Sequence, residues 1–181
     1  YAGAVRVVAG EARGRRLTAR LPAHVRPTTD LVREAVFSSL ATRVGLAGAS
    51  VLDLYCGSGA MGIEALSRGA ASCTFVDDDR ACVDAARRNL EAVGLADRDA
   101  TFVRASLPGW RACGRVDLAL CDPPYGDVDV AALLDGLDAG VVVLETDRGI
   151  VVPEGWEASK EHRYGGTLVS MLTPTSAGVG E

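Results

Sequence analysis

The middle of the chain holds four residues that suit chemistry on a nitrogen nucleophile, Asp122-Pro123-Pro124-Tyr125, directly after an apolar run. The paired prolines stiffen the backbone in an extended form, which fixes the Asp122 carboxylate and the Pro123 carbonyl as two hydrogen-bond acceptors. Acceptors that pull on the N–H bonds of an exocyclic base amine help to localise its lone pair for in-line attack on a methyl group. Stacking of the base on Tyr125 would set the angle of approach. A purely structural Asp-Pro-Pro turn is the alternative interpretation.

A glycine-rich segment further upstream is typical of a ligand-binding turn. An apolar run ends in Asp53, and Gly57-Ser58-Gly59 then precede an apolar-periodic segment that predicts a helix. The glycines permit a tight turn with positive φ, and the first N–H groups of the helix point at whatever lies on that turn. The spacing to Gly62 also fits the G-x-G-x-x-G pattern of a dinucleotide site. Asp53 argues against that assignment, because a carboxylate at the strand end suits an ammonium or sulfonium better than a diphosphate.

Acids also end the second and fourth predicted strands. Asp77 lies 18 residues beyond Gly59, where a carboxylate can accept both hydroxyls of a ribose. Asp79 is the predicted N-cap of the following helix. Ala105 and Ser106 follow the third strand, and we expect them near an adenine ring. Because ligands of α/β sheets bind at the carboxyl ends of the strands, these positions predict one nucleoside site.

The elements that must position these residues alternate between strand and helix, which predicts a doubly wound, mostly parallel α/β sheet. Glycines 165 and 166 separate two further runs that predict an antiparallel pair at its end. The predicted strands cover residues 51–53, 73–77, 100–103, 116–121, 141–145, 156–164 and 167–172. The predicted helices are one that starts at Thr29 or Asp30 with Leu31, Ala35, Val36 and Leu40 as apolar positions, one over residues 79–93 with Cys82, Val83, Ala86 and Leu90 on one face, and one over residues 130–137.

Charge divides the chain unevenly. Its net charge is −5, but residues 1–43 hold eight arginines and three acids, a net charge of +5, which leaves −10 on the remainder. Such asymmetry indicates a basic arm on an acidic body, although a solvated charged face would give the same count. The N-terminal pattern predicts a β-hairpin or two short strands. The arginines predicted to bind RNA phosphates are Arg6, Arg13, Arg15, Arg16 and Arg26. We divide the chain into a basic β-hairpin extension (1–28), a catalytic domain (29–174) and a frayed tail (175–181).

Composition excludes several classes of protein. None of the 181 residues belongs to an apolar run long enough to span a membrane, and no signal-peptide pattern opens the chain. Because the first residue is Tyr1, we expect a fragment that has lost its start. The five scattered cysteines lack metal-site spacing and are expected to be buried hydrophobes in a reducing cytoplasm. Two isolated histidines, His24 and His162, do not predict a metal site, and Trp110 and Trp156 are expected to pack in the core.

The Asp-Pro-Pro-Tyr segment resembles the motif of amino-methyltransferases that use S-adenosylmethionine (SAM), and the segment from Asp53 to Gly59 resembles motif I of class I SAM methyltransferases. Further segments match one member family in order and spacing: Arg13-Gly14-Arg15-Arg16-Leu17, Arg26-Pro27-Thr28-Thr29-Asp30 with Arg33-Glu34, and Glu64-Ala65-Leu66-Ser67-Arg68-Gly69. With these, the chain resembles the bacterial 16S ribosomal RNA guanine-N2 methyltransferases, the RsmD family, over nearly its whole length.

The resemblance implies a cytoplasmic enzyme with a seven-stranded Rossmann-like sheet that methylates N2 of a guanine in 16S ribosomal RNA. SAM would be the cofactor, and the partner would be this RNA or a small-subunit assembly particle, with no metal and no membrane. Asp122, Pro123, Pro124 and Tyr125 would be catalytic. The expected SAM-binding residues are Asp53, Tyr55, Cys56, Gly57, Gly59, Asp77, Asp78, Ala105 and Ser106.

Three other functions stay open at this point. The same machinery could methylate another amine, such as adenine N6 in DNA or RNA, although a dedicated DNA enzyme would need a recognition domain for which 181 residues leave little room. A nicotinamide oxidoreductase would leave the Asp-Pro-Pro-Tyr segment unexplained. A non-catalytic module that binds SAM or RNA could keep the same fold.

Overall fold

Strands and helices alternate along most of the chain in a computed structural model that describes residues 5–19, 30–43, 45–124, 126 and 128–175. The helices are α1 (Asp30–Arg43), α2 (Ala60–Ser67), α3 (Arg80–Ala92) and α4 (Val130–Leu134). The strands are β1 (Ser50–Leu54), β2 (Ser72–Asp77), β3 (Asp99–Arg104), β4 (Val116–Cys121), β5 (Ala139–Thr146), β6 (Trp156–Tyr164) and β7 (Thr167–Pro174).

The strands form one seven-stranded sheet in the order β3-β2-β1-β4-β5-β7-β6. Strands β1 to β5 pair in parallel, and β7 runs antiparallel to both of its neighbours. The predicted mostly parallel sheet with an antiparallel C-terminal pair is therefore confirmed. Sequence order reverses between β1 and β4, so the topological switch point, where ligands of such folds bind, lies at the carboxyl ends of these two strands.

Apolar side chains cover both faces of the sheet, because successive residues of a strand point to opposite sides. One face carries Val51, Phe75 and Leu120 and packs on α1, α2 and α3. The other carries Leu52 and Val142 and packs on α4. Double-sided burial explains why the central strands are near-continuous apolar runs.

Helix α2 lies unusually close to the sheet. All eight of its residues are buried, and a Cβ at Gly62 would lie 2.4 Å from Cε1 of Phe75 and 2.6 Å from Sγ of Cys73. A side chain at this position would therefore collide with β2. The last glycine of the G-x-G-x-x-G spacing serves this packing.

Most of the predicted elements match the structure. Strands β4 and β6 have the predicted bounds, and the four residues predicted for the apolar face of α3 are all buried. The Asp79 carboxylate accepts a hydrogen bond from the backbone N–H of Ala81 at 2.8 Å, as expected of an N-cap. Trp110 and Trp156 pack against the core on the face of the sheet that carries α4, as predicted.

Three expectations were wrong. Leu31 in the first turn of α1 is 68% exposed, and Val32 and Phe37 are buried on the core face instead. Helix α4 ends at Leu134 rather than at residue 137, because Asp135 takes an extended conformation and Gly136 a positive φ. Among the cysteines, Cys113 is exposed.

The N-terminal extension, residues 5–19, is docked on the sheet domain. Its two halves meet at one antiparallel bridge, between Arg6 and Arg16, where Val7 N donates to Arg15 O and Leu17 N donates to Val5 O. Val7 and Ala12 are buried in the core on the face of the sheet that packs on α1, α2 and α3. The predicted boundary at residue 28 and the predicted tail (175–181), apart from Thr175, lie outside the described residues. Within the described residues, no helix is both long and apolar enough to cross a membrane.

Candidate active site

The glycine turn lies at the switch point, between the end of β1 and the start of α2. Tyr55, Gly57 and Gly59 all have positive φ, at 59°, 51° and 75°. Gly59 N donates to Cys56 O at 2.7 Å, and Cys56 N donates to Val76 O at 3.0 Å. These bonds tie the turn to β2. The positive φ of Tyr55, which is costly for a residue with a side chain, marks a backbone held by its surroundings.

Asp53 holds the start of α2. Its side chain is buried, and its Oδ2 accepts a hydrogen bond from Gly62 N at 2.9 Å. Burial raises the pKa of Asp53 well above its usual range; the Gly62 bond opposes that rise, and the charges of Asp122 and Asp77 add to it. A buried carboxylate in this state binds a cationic ligand group favourably, because the cation offsets both the desolvation and the repulsion.

Asp77 joins the glycine turn to the end of β2. Its Oδ2 accepts from Gly57 N at 2.9 Å and its Oδ1 from Asp79 N at 3.0 Å. Burial raises the pKa of Asp77, although these two bonds favour the ionised form. Each carboxylate oxygen keeps a second lone pair, so the group can still accept hydroxyl donors. Asp77 O also accepts from Ala105 N at 3.0 Å, which brings the end of β3 beside this site.

The Asp-Pro-Pro segment continues β4 at the same edge of the sheet. Asp122 N donates to Leu54 O at 3.4 Å, and so Asp122 lies beside the end of β1. Its side chain is half-buried, Pro123 is buried and Pro124 is exposed. Tyr125 lies outside the described residues, and its stacking role stays a prediction.

The remaining predicted cofactor residues surround the same turn. Cys56 is buried, and burial raises the pKa of its thiol, which therefore stays neutral. Asp78 is exposed next to Asp77, and its carbonyl accepts from Arg104 Nε at 3.1 Å. Ser106 is exposed after β3. The structure thus brings the ends of β1, β2, β3 and β4 together, as the sequence predicted.

Glu145 is a fourth strand-end acid at this edge that the sequence reasoning missed. It lies near the end of β5, is 4% exposed, and its Oε1 has no hydrogen-bond partner among the described residues. Burial, with the charges of Asp122 and Asp53, raises the pKa of Glu145 to about 8, while Arg33 opposes the rise. The signal was available, since Glu145 ends an apolar run in the same way as Asp53, Asp77 and Asp122.

The electrostatics of this edge favour a cationic ligand. Asp53, Asp77 and Glu145 are buried carboxyl groups with raised pKa values, and Asp122 lies among them. The buried guanidinium of Arg33 is the positive charge that lowers the pKa of Glu145. A diphosphate would meet repulsion here, whereas a sulfonium or ammonium group would meet attraction. In the described part of the chain, no group of His, Cys, Asp or Glu side chains is placed to hold a metal ion.

Asn89 on α3 connects the glycine turn with the N-terminal extension. The side chain is fully buried, its Nδ2 donates to Ser58 O at 2.9 Å, and its Oδ1 accepts from Ala19 N at 2.8 Å. Nothing in the sequence singles out this residue, because its partners lie 31 and 70 positions away.

Glu64 and Ser67 on α2 hold the other end of the extension. The Glu64 carboxylate accepts from Val8 N at 2.7 Å and from Ala9 N at 2.9 Å, and it is fully buried. The Ser67 hydroxyl accepts from Ala12 N at 3.0 Å. The extension is therefore clamped to the helix that begins at the glycine turn.

The predicted RNA-binding arginines differ in what they contact. Arg6 forms an ion pair with Asp30 at 3.2 Å, and Arg15 donates to the carbonyl of Val93. Arg13 and Arg16 are exposed. Arg26 lies outside the described residues.

Comparison with known proteins gives the same fold and a family. Residues 5–173 match the model of the family described as Conserved hypothetical protein 95. The chain is 34% identical to protein YlbH of Bacillus subtilis over 161 residues, which cover 83% of this chain and 86% of that protein. Ribosomal RNA small subunit methyltransferase D of Haemophilus influenzae is 29% identical over 176 residues, 90% of each protein. The solved structure of Escherichia coli protein yhhF has a TM-score of 0.80 at 29% identity, over 95% of this chain and 98% of that one.

Proposed function

The chain belongs to the family described as Conserved hypothetical protein 95, and on that basis we propose that it transfers a methyl group from SAM to N2 of a guanine in 16S ribosomal RNA. Membership confirms the family resemblance drawn from the motifs. The observation that best supports the activity is the cluster of buried acids around a glycine turn, next to an Asp-Pro-Pro segment. The name of the Haemophilus influenzae relative supports ribosomal RNA as the substrate. The guanine N2 position rests on the motifs alone.

The residues of the acidic edge fit SAM. When bound, SAM supplies a methyl group on a sulfonium centre that an amine can attack. Asp53 offers negative charge to the cationic part of the molecule, and Asp77 offers acceptor sites to the ribose hydroxyls. The backbone of the turn from Tyr55 to Gly59 and the residues after β3 complete the expected site.

Asp122 and Pro123 would hold the guanine. The base must leave its stack to present the amine, as other enzymes that modify bases require. The Asp122 carboxylate and the Pro123 carbonyl accept hydrogen bonds from the two N–H groups of the N2 amine, which leaves the nitrogen lone pair directed at the methyl group. The proton released from N2 after transfer passes to Asp122 or to water. No covalent adduct is needed. Cys121, the cysteine next to Asp122, is buried in the core on the face of the sheet that carries α4.

The partner is small-subunit RNA, free or within an assembly particle, which places the reaction in the cytoplasm. The exposed arginines of the extension would contact phosphates of this RNA. Such contacts orient the RNA without reading its sequence, and the active site selects the base.

The decisive experiment transfers labelled methyl from SAM to small-subunit particles and RNA from a strain that lacks this protein. Nucleoside digestion then identifies the product. We expect N2-methylguanosine with the wild-type chain and at least a ~100-fold lower rate with Asp122→Ala, because one preorganised hydrogen-bonding group is typically worth that factor. The matched control is Asp97→Ala, at an exposed acid in the connection between α3 and β3, which should leave the rate unchanged.

Other products would identify other functions. N6-methyladenosine would show that the protein is a SAM-dependent methyltransferase whose target base is adenine. SAM binding without methyl transfer to either RNA or particles would contradict the enzymatic proposal and favour a binding module.

A further inference from the structure

Glu145 lies next to the Asp-Pro-Pro segment by strand register. Leu120 of β4 pairs with Val143 of β5, and Cys121 pairs with Leu144, so Asp122 and Glu145 are the next two residues in line. Adjacent strands lie about 5 Å apart. The alternation of side chains puts both carboxyl groups on the face that also carries Asp53, since Asp53 pairs with Leu120.

One carboxyl oxygen of Glu145 is buried without a hydrogen-bond donor. The residue is 4% exposed, and its Oε1 has no hydrogen-bond partner in the part of the chain that the structure describes. The charged groups that act on it are Arg33 from α1, Asp122 and Asp53. A buried acceptor without a donor costs free energy, and such groups persist where a ligand completes them. A molecule that enters beside Asp122 can supply this donor.

We propose that Glu145 is a specificity-determining residue that accepts the N1–H of the target guanine while Asp122 and Pro123 hold its N2 amine. This inference rests on the proposed function. Guanine presents N1–H and the N2 amine side by side on one edge, which matches two acceptors on neighbouring strands. The N1–H of guanine donates to the carboxylate of Glu145 and so favours its ionised form over the neutral form that burial favours. Adenine and cytosine present a lone pair at the equivalent ring nitrogen, which gives the carboxyl oxygen no hydrogen to accept and does not favour the ionised form. Glu145 therefore selects guanine among the bases that carry an exocyclic amine.

A structural role beside Arg33 is the competing explanation. Removal of the Glu145 charge would then lower stability or disturb the site for every substrate equally. Base discrimination separates the two roles, because only a direct contact to N1–H depends on what the base carries at that atom.

The test uses the full chain and small-subunit RNA in which the methylated guanosine, once mapped, is replaced by 2,6-diaminopurine riboside. This analogue keeps the N2 amine and lacks the N1 hydrogen. Single-turnover methylation and RNA binding are measured for both RNAs with the wild type, Glu145→Gln and the matched control Glu154→Gln, an exposed glutamate between β5 and β6. Thermal unfolding of each variant checks that it folds.

We expect the wild type and the control to prefer guanosine by about 100-fold or more, since a site built for a donor strongly rejects an analogue without it. In Glu145→Gln the preference should fall to about 10-fold or less, because the neutral amide can donate to a ring nitrogen as well as accept from it. If Glu145→Gln does not fold, Glu145→Asp retains the charge beside Arg33 and shortens its reach, and it should lose the guanosine rate selectively.

An equal loss on both RNAs, or an unchanged preference in the variant, would overturn the assignment of Glu145. Failure of the proposed function itself is a different result, because the wild type would then form no N2-methylguanosine at all.

Discussion

Carboxyl groups at the acidic edge differ in role according to which hydrogen-bond donors they meet. Asp53 and Glu145 are both buried at strand ends, but Asp53 accepts from Gly62 N and so fixes α2, whereas Oε1 of Glu145 has no partner among the described residues. Likewise, Arg13, Arg15 and Arg16 are all exposed, but Arg15 also donates to the carbonyl of Val93. The neighbours of a side chain, rather than its type, decide whether it is available to a ligand.

Arg13 and Arg16 should bind phosphates of the RNA backbone. Their joint replacement by alanine should raise the KM for RNA about 10-fold at low salt and leave the SAM Kd unchanged, because phosphate contacts act through counterion release. The slope of log K for RNA binding against log salt concentration should fall by about two. Filter binding over a salt series and calorimetry with SAM measure the two quantities.

The control replaces two other exposed arginines, Arg115 before β4 and Arg163 in β6. An equal loss of SAM affinity in the Arg13 and Arg16 variant would contradict the division of labour between extension and sheet.

Elements are coupled around the glycine turn. The N-terminal extension is held by Glu64 and Ser67 of α2 and by Asn89 of α3, and Asn89 also holds Ser58 in the turn. The charge pattern predicted a basic arm on an acidic body. Hydrogen bonds from the backbone of this arm to two helices make it part of the scaffold that shapes the turn.

Replacement of Asn89 by alanine tests this coupling. It leaves Ser58 O and Ala19 N without their partner, which should cost about 1–3 kcal/mol of stability for each group left buried. SAM should bind about 10-fold more weakly, and amide exchange of residues 5–19 should accelerate. Arg88→Ala, an exposed neighbour on the same helix, is the control. A lower melting temperature with unchanged SAM affinity would show that Asn89 does not position the turn.

The whole molecule gathers buried carboxyl groups at its binding edge. The pKa values of Asp53, Asp77 and Glu145 are all raised in the folded protein, burial being the largest cause for each. A raised carboxyl pKa means that the folded state holds a proton that the unfolded state has already released. Stability from these groups is therefore present at low pH and declines as the pH rises.

Glu145 provides the measurable part of this dependence. The pKa is about 4.5 when unperturbed and about 8 in the fold, so its contribution should decline between these two values and level off above pH 8. Thermal unfolding from pH 5.5 to 8.5 should show a falling melting temperature. In Glu145→Gln the fall should be smaller by a few degrees, the equivalent of about 1–3 kcal/mol. Glu154→Gln should behave as the wild type; a variant at Glu145 with the full decline would contradict the assigned burial cost.

Local sequence determined much of this protein. Alternating apolar runs predicted the strands and the parallel sheet, the glycines predicted the turn, and acids after apolar runs predicted the edge where ligands bind. These inferences succeed because periodicity, backbone freedom and strand-end position depend on residues a few positions apart. The same reasoning applied to the run from Val141 would have found Glu145.

Tertiary structure alone decided what joins distant parts of the chain. Only folding brings Glu145 in line with Asp122, places Asn89 between the glycine turn and the extension, and clamps Val8 and Ala9 to Glu64, partners that lie 56 and 55 residues apart. Hydrogen bonds and charge interactions act over a few ångströms of space, and separation along the chain does not encode that proximity. The extension became a fixed part of the site for the same reason, since burial of its backbone donors against α2 and α3 required acceptors that only the folded domain supplies.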